Sequence, residues 1–299
     1  IELTTSEAVV EGDTLAMDFS TGKVKKVFRQ GGSANTQPTI GGHTSTNVYD
    51  LIYIPEISKI ALMFYTSSAP RLRVVLGTQD VTGTITWDSS PRGLPNVSGN
   101  YEAGCLAWDS NVNRLVAIHR GNDNLYSTTY SVSGTTLTQQ SAVTVQSNNV
   151  NIQRSYAPAL HFNSTQNKMI LYYLHDNSGY LVARVGTISA SGQSWTSEQG
   201  PNSGSPSYFN NNYPQCLGVS SVGSTIVFGY NKSYYYAIAA TLSGTTLSFG
   251  SQTQLGNTTG NAPGRTYLHY LSGSTYSGNM FSLIGKASGN YTHAFNFTL

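Results

Sequence analysis

Two carboxylates of unequal acidity, held a few ångströms apart, can cleave a glycosidic bond. The chain has fourteen acidic residues with which to do so. Asp50 precedes an apolar run, and Asp109 opens a polar turn between two apolar runs. Asp123 and Asp176 sit in matching places of two repeats, where they could face each other across a ring. They are the candidate catalytic pair. The competing reading is turn capping, since a short Asp side chain hydrogen-bonds its own backbone two residues on. That reading accounts for them better, and it leaves the chain without a catalytic residue. The six histidines (His43, His119, His161, His175, His269 and His293) show no metal-ligand spacing. Serine, cysteine and histidine form no nucleophile motif. No glycine-rich stretch opens a helix as a phosphate loop does. No metal and no cofactor is expected.

Binding chemistry is better represented. His119, Arg120 and Asp123 cluster in one short connection, and His175, Asp176 and Tyr180 in the equivalent place one repeat later. Lys232 and Tyr234 follow in the next repeat, and Tyr208 and Tyr213 lie in a long Asn- and Ser-rich connection. Tyrosine offers rigid aromatic area, and Asn and Ser offer adaptable hydrogen bonds, a mixture suited to sugars or protein surfaces. These ten residues are the candidate binding set. The plain alternative is that the connections are soluble turns.

The elements that carry them repeat. Leu51, Leu106, Leu160, Leu217 and Leu268 lie 55, 54, 57 and 51 residues apart. Each opens an apolar run, a polar turn and a second apolar run. Ile60, Leu115, Met169 and Ile226 each stand nine residues after their leucine, three of them preceded by Lys59, Arg114 or Lys168. A third run follows in all five repeats, and a fourth in all but the last. Alternating apolar and polar residues mark half-buried strands. Short SGTT connections at Ser133 and Ser243 mark hairpin turns. Ser189–Trp195 echoes a turn-stabilising Asp-box, with Ser191 where the Asp belongs. It is evidence for a hairpin rather than for catalysis.

Composition agrees. Charged residues make up 10% of the chain, and Gly, Ser, Thr, Asn and Tyr replace the Glu, Lys, Arg and Ala of helix surfaces. Net charge is +2 without a long basic run, so no nucleic-acid partner is expected. No apolar stretch is long enough to span a bilayer as a helix. Cys105 and Cys216 fall in non-adjacent repeats, too far apart to bridge, and are expected as two buried thiols.

Four antiparallel strands per repeat, arrayed about an axis, form a β-propeller. The expected fold is all-β and five-bladed. Residues 1–47 form an N-terminal segment whose strand completes the last blade, and residues 48–299 form the repeats. A six-bladed ring, with residues 1–47 as a degenerate blade, is the alternative.

The stretch from Glu7 to Val27, EAVVEGDTLAMDFSTGKVKKV, resembles the opening of phage tail and virion-surface proteins. The repeats look like those of tail-fibre-like proteins of marine phages. That resemblance implies a non-enzymatic virion structural or host-attachment protein. Its partners would be other virion proteins and a host-surface glycan, and it would lie on the virion or outside the cell. A secreted propeller lectin and a divergent glycoside hydrolase are the alternatives.

Overall fold

A computed structural model describes residues 14–18, 23–27, 39–40, 43–67, 69–80, 85–95, 103–121, 124–147, 158–175, 180–200, 216–231, 235–255, 267–271, 280–286 and 292–298. The described residues form strands, tight turns and a single 3-10 turn at Pro55–Ile57.

The described strands make a two-stranded sheet, Thr14–Asp18 with Lys23–Val27, and five larger antiparallel sheets, numbered first to fifth in chain order. Three contain four strands each, and each begins with an inner strand: Gly104–Asp109, Ala159–Asn163 and Cys216–Val222. The first sheet is built on His43–Ile54, with the added pairs Thr39–Ile40 and Arg92–Gly93. The fifth, built on Tyr267–Leu271, has three strands. Inner strands of successive sheets lie side by side, which places the sheets as blades about an axis. The fold is a β-propeller.

Burial on both faces explains the composition of the second strands. In Lys59–Thr66 the alternate residues Ala61 and Met63 join the core shared with the second sheet, while Leu62 and Phe64 join a cluster with Ile40. In the third sheet Leu171 and Tyr173 look toward the second, and Ile170, Tyr172 and Leu174 toward the fourth. Val227 of the fourth sheet packs with Phe281 and Leu283 of the fifth. A strand sandwiched this way reads as continuously apolar.

The turn between first and second strands takes one conformation in three of the repeats. Ser58, Asn113 and Asn167 occupy equivalent left-handed positions, at φ of 49°, 53° and 51°. Each precedes Lys59, Arg114 or Lys168. Asp109 Oδ1 accepts from the backbone N–H of Asn111 and Val112, and Asn163 Oδ1 accepts from Gln166 N–H at the same place one repeat later. The fourth repeat closes in two residues through Gly223, at φ 55°. The SGTT hairpins form as expected, with Ser133 paired to Thr136, Ser243 to Thr246, and Gly134 and Gly244 at positive φ.

One row of residues crosses the first four sheets at the level of Ile60 and its equivalents. Gly77 faces Trp87, Gly186 faces Trp195, and Ala240 faces Phe249 on the outer pair of strands. In the second sheet the large residue is Tyr130 and its partner is Gln139. In the first, third and fourth sheets a small third-strand residue thus meets a large outer-strand one. Trp195 and Trp108 both pack between blades.

Two expectations meet limits. The strands Thr14–Asp18 and Lys23–Val27 pair with each other, and no pairing between them and the fifth sheet occurs among the described residues. At the start of the ring Leu51 is 52% exposed, whereas its equivalent Leu106 is 2% exposed against the first sheet. Cys105 is buried and forms no disulfide, and the Cys216 side chain lies outside the described residues.

Candidate functional site

In each blade the second strand ends at the connection to the third, and the fourth strand ends toward the next blade. Both ends therefore lie on one face, the loop face. Of the candidate binding set, His119, Arg120 and His175 are described in full. Asp123, Asp176, Tyr208, Tyr213, Lys232 and Tyr234 lie outside the described residues, as does the Tyr180 side chain.

The His119 ring is fully buried, not presented at the surface. Its place in the second strand is that of Phe64, Tyr173 and Tyr230 in other blades, all buried. Nε2 lies 2.8 Å from the carbonyl of Pro95, and the ring stacks on Tyr126. Burial pushes its protonation down to about 4, so the ring is neutral at ordinary pH. His119 serves the junction between the first and second blades. Arg120 is half-buried, and its backbone N–H donates to the Ala103 carbonyl.

His175 belongs to a polar network at the loop side of the junction between the second and third blades. Its Nδ1 lies 2.6 Å from Glu198 Oε1. The Tyr173 hydroxyl donates to the same oxygen at 2.6 Å. Arg184 Nε donates to the Tyr173 oxygen at 2.9 Å, and its other nitrogens donate to the Thr196 carbonyl and to Gln146 Oε1 of the second blade. The guanidinium also stands 3.7 Å from Glu198 Oε1. Burial, and then the Glu198 carboxylate, hold the Tyr173 phenol well above its usual range, so it remains a donor. Tyr173 is wholly buried, while His175 and Glu198 have side chains 20% and 25% exposed.

Sequence reasoning found His175 but missed Glu198, Arg184 and Tyr173. One signal was available. Arg184 is the only charged residue in the apolar strand Tyr180–Ile188, and a cation there needs partners. Glu198 carries no such mark, because it reaches His175 and Tyr173 across the intervening strand. Asp109 is a turn cap on the opposite face, and burial raises its protonation range. The Asp50 carboxylate accepts Leu106 N–H at 2.7 Å and Leu51 N–H at 3.0 Å, tying the first inner strand to the second. No group of three or more His, Cys, Asp or Glu side chains able to hold a metal occurs among the described residues. Nor is any helix among them long and apolar enough to cross a membrane.

No protein-family model matches the sequence, and no curated protein matches it. Solved structures do. An α-L-arabinanase of Penicillium chrysogenum, in complex with arabinobiose, is 14% identical, covers 85% of this chain and 79% of its own, and has a TM-score of 0.54. A GH93 α-L-arabinofuranosidase of Fusarium graminearum, also with arabinobiose, is 13% identical over 84% of this chain and 80% of its own, with a TM-score of 0.53. A protein from Lactobacillus plantarum is 10% identical over 98% and 97%, with a TM-score of 0.53. At these identities the likeness establishes the fold. It also corrects the expectation of a non-enzymatic virion attachment protein. The same fold is used here by glycosidic-bond-cleaving enzymes, and neither the tail-fibre resemblance nor a virion location finds support.

Proposed function

We propose that the protein is a glycoside hydrolase of the β-propeller type, acting outside the cell on arabinose-containing glycans. The observation that carries this reading is the fold shared, over more than four fifths of the chain, with an arabinanase and an arabinofuranosidase. Chemistry of this class takes two carboxylates, one as acid and one as base or nucleophile, separated by about 5 to 10 Å. In the sequence Asp123 and Asp176 fall between the second and third strands of adjacent blades. These two are the candidates.

The test is release of reducing sugar from linear arabinan, arabinobiose and aryl arabinofuranosides by the purified full chain. Hydrolysis is expected, with a loss of at least about a hundredfold when a carboxylate that does the chemistry is replaced by its amide. Binding of these sugars without turnover would instead identify a lectin. Neither binding nor turnover would end the reading.

A further inference from the structure

The junction between the second and third blades holds a feature that the hydrolase reading does not use. A carboxylate has no hydrogen of its own, so the contact between Glu198 Oε1 and His175 Nδ1 requires the proton on Nδ1. In the neutral ring Nε2 is then a bare acceptor. Among the described residues the Glu198 contacts fall on Oε1, which leaves Oε2 outside this network. Neither Nε2 nor Oε2 is among the buried atoms that lack a partner, and both side chains are partly exposed. Two acceptors thus stand at the partly exposed loop-face rim with no partner among the described residues. They are set in place by a chain that runs from Gln146 and Thr196 through Arg184 to Tyr173. Groups fixed in this way bind without first having to be ordered.

We propose that this rim is a subsite for adjacent hydroxyls of a neutral sugar, accepted by His175 Nε2 and Glu198 Oε2. The inference rests on the carbohydrate-active reading and names a second place on the same face where a glycan chain is held. Hydroxyls supply the donors that two acceptors need. An anion would meet the Glu198 carboxylate. An ammonium finds no net negative charge to draw it, because Arg184 stands 3.7 Å from that carboxylate. His175 and Glu198 are binding and positioning groups here, with no bond made or broken at either.

The experiment reads the His175 imidazole nitrogens by NMR in the full chain while arabinobiose, xylobiose or cellobiose is added. The free protein should show the proton on Nδ1, and at least one of the sugars should move the Nε2 resonance. His175→Asn keeps an N–H where Nδ1 stands and deletes Nε2. It should weaken that sugar about tenfold, the scale of one lost hydrogen bond, with the melting temperature unchanged. A proton on Nε2 in the free protein, no response to any of the three sugars, or equal affinity in the Asn variant would each overturn the subsite. The two readings fail separately. Arabinan hydrolysis without a His175 response removes only the subsite, and a His175 response without hydrolysis removes only the hydrolase.

Discussion

His119 shows how one position in the repeat decides between surface chemistry and packing. The sequence places it beside Arg120 and Asp123, and the cluster reads as a binding connection. Its strand register places it instead in the row of Phe64, Tyr173 and Tyr230, buried in every case. That row could be read from the spacing to Leu115, Met169 and Ile226, but a histidine in it resembles a site residue until burial is known. The consequence is a pH dependence of stability. The ring protonates at about 4 when folded and near 6.5 when unfolded. Between those values the unfolded chain binds the extra proton, so stability falls as pH drops from about 6.5 toward 4. The total loss is roughly 3 kcal/mol at 1.36 kcal/mol per unit. Chemical denaturation at pH 7 and pH 4 should show this slope in the wild type. In His119→Phe, which copies Phe64, the His119 share of the slope should vanish. An unchanged slope would mean that the ring is solvated.

Elements were the most legible level. The leucine period, the basic residue after three of the turns and the SGTT hairpins all translate into strands and turns at the expected residues, because each depends on local backbone chemistry. The cross-sheet rows were not legible, since they join residues about ten positions apart whose pairing depends on register. Gly186 shows the strength of that constraint. A Cβ placed there would lie 2.7 Å from Cζ3 of Trp195. Gly186→Ala should therefore cost about 1 to 3 kcal/mol by overpacking. Trp195→Phe in the same chain should recover part of the loss, since the fourth sheet already pairs Ala240 with Phe249. Melting of the single and double variants measures both effects, and strict additivity would show that the two residues do not compete for space.

At the scale of the molecule the ring was read correctly as a propeller, and the function was not. Repetition reports on stacking, which every blade must satisfy. The described loop-face network is assembled from two strands of one blade, the segment after its fourth strand and a glutamine from its neighbour. Blade position also changes what an identical residue contributes. Leu106 is packed against the first sheet, while its equivalent Leu51 remains half exposed. Leu106→Ala should cost about 2 to 5 kcal/mol and Leu51→Ala less than about 1 kcal/mol in equilibrium unfolding. Equal losses would place a neighbour over Leu51 in solution. The glycine–tryptophan and alanine–phenylalanine rows carry a last consequence. Each of these three repeats balances its own bulk within a single sheet, so a change in one strand can be offset inside the same repeat. Sequence drift in one such unit then need not be answered by its neighbours, which lets those segments grow unlike one another while their shapes remain alike.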